Sequence, residues 1–182
     1  MTTLVIGLGN PGKKYELTRH NAGFLFLDWL VKEKFPGSTF SLQKNMHTEI
    51  CEVKQGPGKL ILGKPQTYMN NSGHAVSQLV SYYKIDFEKD LLIIQDEVDL
   101  PIGQLRESLE SASAGHKGVQ SIIDALGSKN FKRLRIGVEA REDKSIPPTE
   151  NYVLQKFSEE ELKLLETNIW PKLAQKISNA NE

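Results

Sequence analysis

One cysteine in 182 residues, Cys51, leaves no partner for an internal disulfide, and no CxxC pair or Cys/His spacing of the zinc type is present. No apolar run approaches the roughly 20 residues of a bilayer-spanning helix, and the first residues lack the basic-then-apolar order of a secretory signal. The expectation is a cytoplasmic protein with no membrane partner and no structural metal. No G-x-S-x-G elbow occurs, and Cys51 falls in a strand-like stretch where a packed thiol suits better than a nucleophile. An excess of charge is missing too: 23 basic against 23 acidic residues gives a net charge of zero, which argues against a chain coated in nucleic acid but leaves room for a local basic site.

What is present is enough apolar residue (38%) for one substantial core, and residues 1–182 are expected to form a single domain. "TTLVIGL" reads as a strand, and "NAGFLFLDWLVKEKF" as a helix behind Asn21 with Phe24, Leu27 and Val31 on one face. "MHTEICEVK" and "KLILGKP" flank "QGPG", a turn between antiparallel strands. A helix over "NNSGHAVSQLVSYYKI" precedes the continuous apolar run of "LLIIQDE", which suits a strand covered on both faces. "GVQSIIDALG" repeats apolar residues at i, i+3, i+4 and i+7 and stops at Gly127, "RLRIGV" supplies another strand, and Ser158-x-x-Glu161 opens a last helix with a capping box, Phe157 and Leu162 being its staple. The alternation predicts an α/β protein, a three-layer α/β/α sandwich around a mixed, mostly parallel sheet.

"VIGLGNPG" contains Gly7-x-Gly9-x-x-Gly12, the dinucleotide-binding fingerprint. That fingerprint needs a helix with an apolar stripe to begin at about the second or third glycine. "KKYELTRHN" has no such stripe, so the glycines are read as a sharp exit from the strand that leaves Asn10 at the carboxyl edge of the sheet, where open α/β sheets hold ligands. Polar residues due at the same edge are Arg19-His20-Asn21, Asn70 with Asn71, and Asp96 at the end of "LLIIQ". Each has a plainer use: Asn70 or Asn71 as helix cap, Asp96 as a turn residue, His20 as a cap for the helix after it. Their convergence favours a site, since a carboxylate ending a buried strand needs a partner and histidine is the one a hydrolytic site supplies. Basic residues concentrate between Gly115 and Arg135 (Lys117, Lys129, Lys132, Arg133, Arg135, against Asp124 alone), whereas residues 139–182 carry nine acids to six bases, which predicts a basic face and an acidic tail.

"GLGNPG", "YELTRHNAG", "KPQTYMNNSG", "IIQDEVDLPIG", "AGHKG" and "NFKRLRIGV", in this order, resemble the bacterial-type peptidyl-tRNA hydrolase family over the chain to about Lys156. The resemblance implies a monomeric, cytoplasmic enzyme without metal or cofactor that hydrolyses the ester between a peptide and the 3′-terminal ribose of tRNA and so recycles tRNA from aborted translation. It implies His20 as the base that activates water and Asp96 as the carboxylate that orients it. Asn10, Tyr15, Met69, Asn70 and Lys117 fall at substrate-binding positions, and Arg106, Lys132 and Arg135 are taken for the tRNA phosphates, the partner being the acceptor stem and 3′ CCA end of peptidyl-tRNA. The chain departs from the family in three places: Lys117 stands where Gly-His-Asn-Gly has its asparagine, "SASA" replaces a string of glycines, and Ser108 occupies a usually basic position for which Arg106 substitutes. The last helix is also short. Three rival readings are a noncatalytic RNA-binding relative of the same fold, a metal-dependent hydrolase using His20 and Asp96 with His116 or Asp99, and the dinucleotide enzyme.

Overall fold

The computed structural model describes residues 2–179. Seven strands form one mixed sheet: β1 (Thr2–Gly7), β2 (Ser41–Gln43), β3 (Thr48–Gln55), β4 (Gly58–Pro65), β5 (Leu91–Pro101), β6 (Leu105–Ser108) and β7 (Lys132–Glu139), in the spatial order β2-β3-β4-β1-β5-β7-β6. The four central strands β4, β1, β5 and β7 run parallel, and antiparallel strands close both edges. The short edge strands β2 and β6 have no apolar alternation to announce them. Residues 56 and 57 make the β3–β4 turn, with Gly56 at φ 56° in the first central position, where a primed hairpin turn requires a left-handed residue.

Alternation along the central strands sorts their side chains into two cores. Val5, Leu60, Leu62, Leu92 and Ile94 face α1 (Ala22–Lys34) and α7 (Trp170–Asn179), packing on Phe26, Leu27, Leu30, Trp170 and Leu173. Leu4, Ile6, Ile61, Leu91 and Ile93 face α2 (Ser72–Tyr83) and α4 (Lys117–Leu126), packing on Val76, Leu79, Val119 and Ile122. This is the expected three-layer arrangement, with continuous apolar runs in strands buried on both faces. Cys51 is buried in the first core as a free thiol. Three short helices, α3 (Phe87–Asp90), α5 (Thr149–Tyr152) and α6 (Glu159–Leu164), complete the set. The capping box of Ser158 and Glu161 is present in both directions at α6, and a single π-turn, Leu165–Ile169, joins α6 to α7.

The glycine-rich loop after β1 is explained by packing. A Cβ on Gly7 would lie 2.4 Å from the carbonyl oxygen of Gly23, and one on Gly23 would lie 2.4 Å from the amide nitrogen of Leu8. The first turn of α1 therefore crosses β1 backbone to backbone. No helix begins at the fingerprint: single 3₁₀ turns occupy Lys13–Tyr15 and Arg19–Asn21, and α1 starts only at Ala22. The loop thus ends the strand and lets the helix approach, and it lacks the helix N-terminus on which a pyrophosphate would sit.

Candidate active site

Because β4, β1 and β5 are parallel, whatever follows or ends them arrives at one edge of the sheet. β4 leads into the 3₁₀ turn Met69–Asn71, β1 into Asn10, and β5 itself carries Asp96. At this edge a cleft of about 590 Å³ is lined by Asn10, His20, Met69, Asn70, Asp96 and Lys117, together with His116, Tyr68 and Glu97. Six of the ten sequence-selected site residues share this cleft, while Tyr15, Arg106, Lys132 and Arg135 do not line it.

Asp96 is 2% exposed and receives two imidazoles. His20 Nδ1 lies 2.9 Å from Oδ1 and 3.0 Å from Oδ2, and His116 Nε2 lies 2.9 Å from Oδ1. The His116 ring is oriented by α4: as N-cap its Nδ1 accepts from the amide of Val119 at 3.3 Å, which places its proton on Nε2, facing the carboxylate. His20 is held from the backbone side, its amide donating to Val153 O at 2.8 Å. The histidines come from opposite helical layers, His20 ahead of α1 and His116 at the head of α4, and meet at the strand between them. Sequence reasoning entertained His116 only as an alternative metal ligand. The signal that marks it is a histidine in cap position before the periodic helix at Val119.

Burial opposes ionisation of Asp96, but attraction and hydrogen bonds from His116 and His20 outweigh it and hold the carboxyl well below its usual range. Burial likewise works against a charged His20. The Asp96 carboxylate overcomes it, Lys117 pulls the other way, and the net effect raises His20 above an ordinary imidazole. Lys117 is exposed at the first position of α4 and has no ion-pair partner among the described residues.

The amide of Asn10 is locked by its neighbours. Asn21 spans its backbone, accepting from Asn10 N at 2.8 Å and donating to Asn10 O at 3.0 Å, while Asn10 Oδ1 accepts from Met69 N at 2.8 Å. The side-chain NH₂ of Asn10 is the group left for the cleft. Asn21, expected as the cap of α1, occupies that position but makes no side-chain cap bond, because its amide is committed to Asn10. Met69 is 4% exposed and supports Asn10 through its backbone, whereas Asn70 is exposed beside it. Tyr15 stands behind Tyr68, the rings edge to face with centroids 6.5 Å apart. Tyr68, 59% exposed at the cleft, is a residue the sequence reading passed over.

The predicted basic face is only partly built. Lys117, Lys129 and Lys132 are exposed, but Arg133 is buried at 2% exposure, pointing into the protein beneath the segment before His116. Arg135 is bound to Glu97, its Nε donating to Oε2 at 2.7 Å. Arg106 lies directly opposite Arg135 across the β6–β7 pair, so Glu97 offsets a repulsion between like charges.

His20, Asp96 and His116 also form a donor set that a metal could use, their ligand atoms lying within 4.8 Å of one another. The nitrogens aimed at the carboxylate are at hydrogen-bond distance, however, whereas an ion between them would need about 2.0–2.2 Å to each ligand. The arrangement fits a shared carboxylate better than a metal cage. Among the described residues no helix is long and apolar enough to cross a membrane.

The family model for peptidyl-tRNA hydrolase matches residues 4–181. The peptidyl-tRNA hydrolase of Aquifex aeolicus is 44% identical over 162 residues, 89% of this chain and 81% of that protein, and that of Mycoplasma mycoides is 45% identical over 172 residues, 93% and 88%. A crystal structure of a peptidyl-tRNA hydrolase in complex with N-propanol superposes with a TM-score of 0.87 at 32% identity, covering 98% of this chain and 88% of the other. The Acinetobacter baumannii peptidyl-tRNA hydrolase gives a TM-score of 0.84, also at 32% identity, covering 98% and 92%. With the family model matched over nearly the full length of the chain and a solved member superposing over 98% of it, the protein belongs to the peptidyl-tRNA hydrolase family.

Proposed function

We propose that the protein hydrolyses the ester joining a peptide, or an N-blocked aminoacyl group, to the 3′-terminal ribose of tRNA, and so returns tRNA from aborted translation. One observation carries the reading: a histidine in an open cleft whose Nδ1 faces a buried, ionised aspartate. With its proton on Nδ1 and directed at Asp96, His20 keeps Nε2 free to take a proton from water as that water attacks the ester carbonyl. Such base catalysis contributes about 10²–10⁴-fold. Asp96 fixes the tautomer and stabilises the imidazolium as it forms. An ester releases an alkoxide, a better leaving group than an amine, so no covalent nucleophile is needed.

The NH₂ of Asn10 donates to a substrate carbonyl, and the exposed amide of Asn70 donates or accepts along the peptide, neither adding net charge to the site. Recognition of a peptide bond rather than a free α-amine spares ordinary aminoacyl-tRNA. Lys117 supplies a charge-assisted donor at the cleft where the family places an asparagine. Tyr15, behind Tyr68, and the side chain of Met69 border the path of the CCA end. Arg106 and Arg135, paired across β6 and β7, receive phosphates of the acceptor stem, Arg135 exchanging Glu97 for a phosphate; Lys132, on the other face of β7 with Leu134, is the outlying member of the set. One sheet links all the described elements, which supports residues 1–182 acting as one domain, and the protein is read as a cytoplasmic monomer.

The test is release of the acyl group from N-acetyl-aminoacyl-tRNA in the presence of a chelator, beside the unblocked aminoacyl-tRNA. Cleavage of the blocked substrate alone is expected. No cleavage, equal cleavage of both, or loss of activity to the chelator would each sink the reading.

A further inference from the structure

A buried cation with no carboxylate of its own lies behind the site. Arg133 on β7 donates from one terminal nitrogen to the carbonyl oxygens of Ser111 and Ala112, at 2.8 and 3.0 Å, and from the other to Gln95 Oε1 at 3.3 Å. The Gln95 amide in turn donates to the backbone carbonyl of Asp96 at 3.3 Å. Among the described residues Arg133 Nε has no partner, and the nearby carboxylate, Glu97, is held by Arg135. Spending a buried guanidinium on neutral carbonyls is unfavourable unless those carbonyls must be held.

The segment they belong to, residues 109–116, has no helix or strand, and two of its non-glycine residues are left-handed: Glu110 at φ 53° and Ala114 at φ 49°, followed by Gly115 at 84°. Left-handed backbone is disfavoured for side chains of this kind, so the segment does not keep its path by local preference. Its end is His116, whose ring reaches Asp96. Beyond Arg133, it is tied by the Ser113 hydroxyl donating to Gln120 Oε1 at 2.8 Å and by His116 N donating to Ser113 O at 3.0 Å. The first of these bonds reaches α4 and the second stays within the segment, and neither connects it to the sheet. The Arg133 fork is its link to β5 and β7 ahead of the histidine.

We propose that Arg133 is a positioning residue for the hydrolysis: its planar fork ties the 109–116 segment to the sheet and thereby seats His116 Nε2 on Asp96. The inference rests on reading His20 and Asp96 as the hydrolytic pair, with His116 holding Asp96 from its other side. Arg133 is buried and does not line the cleft, so it acts on the reaction through the groups it holds, and its bonds to Ser111 and Ala112 lead to His116.

Two measurements test this. In a double-mutant cycle on N-acetyl-aminoacyl-tRNA, Arg133→Met lowers kcat by about 10- to 100-fold, the usual cost of a displaced site group, with KM little changed, and adding it to His116→Ala costs nothing further. In proton NMR, the hydrogen-bonded His116 Nε2–H signal, identified by its loss in His116→Ala, is present in the wild-type protein and missing from Arg133→Met. Losses that multiply, or a signal that survives in Arg133→Met, overturn the proposal. If Arg133→Met does not fold, Arg133→Lys is judged by the same criteria, since lysine keeps the charge but has no second nitrogen with which to hold Gln95 while it holds the two carbonyls. Should the wild-type protein show no hydrolysis, the functional reading fails, and the NMR signal still decides whether Arg133 seats His116.

Discussion

Replacing Asp96 by asparagine tests the site most directly, because its size stays the same and only its hydrogen-bond pattern changes. Asp96 Oδ1 accepts from both His20 Nδ1 and His116 Nε2, each at 2.9 Å, and Oδ2 accepts from His20 at 3.0 Å. An asparagine has one oxygen and one NH₂. With its oxygen toward His116, the NH₂ faces His20 Nδ1 and forces the His20 proton onto Nε2, the nitrogen that must be free to act as base. With the amide reversed, the NH₂ meets His116 Nε2–H, whose other nitrogen is already occupied as the cap of α4. The reversed amide sets two donors against each other at His116, so the first arrangement prevails and the expected loss in kcat is the whole of general-base catalysis, about 10²–10⁴-fold, or about 2.7–5.4 kcal/mol at 1.36 kcal/mol per decade. Single-turnover release of the acyl group should show Asp96→Asn about as impaired as His20→Ala, with KM for tRNA near the wild-type value. A rate within a few-fold of wild type, or a loss residing in KM, would refute the assignment. Stability adds an independent reading. Although burial opposes its charge, the two imidazoles hold the folded Asp96 carboxyl below its unfolded range, so its contribution is full above about pH 4 and fades as pH falls through the folded value. Asp96→Asn should lack that part of the acid dependence of Tm.

The fold was legible because its central strands are covered on both faces and its helices carry strong apolar stripes. "LLIIQDE" allows little other than a central strand, and Val119, Ile122 and Leu126 allow little other than a helix ended by Gly127. β2 and β6 escaped detection because their residues are mostly exposed and polar, their pairing being dictated by neighbours rather than by pattern. His20, Asn10 and Asn70 were legible since each follows an element, and parallel strands bring such positions to one edge; Asp96 was legible as the first charge after an apolar run, although β5 continues past it to Pro101. Arg133 was misread for a reason of the opposite kind. Charge pattern cannot tell which strand side chains face solvent, and here a loop without regular structure covers one of them with its carbonyls. Asn21 shows the same limit, since a cap position names a place in the helix but not the partner its amide chooses.

At the strand–helix crossing, Gly7→Ala pushes a methyl group into the backbone of Gly23, so overpacking of about 1–3 kcal/mol is expected, a fall in Tm of about 2–12 °C for a chain of this size. An unchanged Tm would mean that α1 is free to move off β1. At the proposed phosphate contacts, Arg106→Ala and Lys132→Ala should each weaken tRNA binding and reduce its salt slope by about 0.7–0.9 for each phosphate no longer neutralised, while a substrate lacking the tRNA body is barely affected; equal loss on both substrates would mark the residues as supports of the fold. Lys117 is expected to set the pH range. For His20 to act as base it must be neutral, and Asp96 raises its pKa above an ordinary imidazole while Lys117 lowers it again. Removing the ammonium in Lys117→Asn takes away the opposing influence, so His20 holds its proton to higher pH and the acid limb of the kcat/KM profile moves upward. The wild-type lysine thereby extends activity toward lower pH than an asparagine in its place permits. The competing arrangement turns the lysine outward, where a long hydrated side chain is at ease and has no influence on the imidazole. Profiles of kcat/KM against pH for the two proteins separate these cases: an upward shift in Lys117→Asn places the charge at the catalytic histidine, and superimposable curves would show that Lys117 does not act on it.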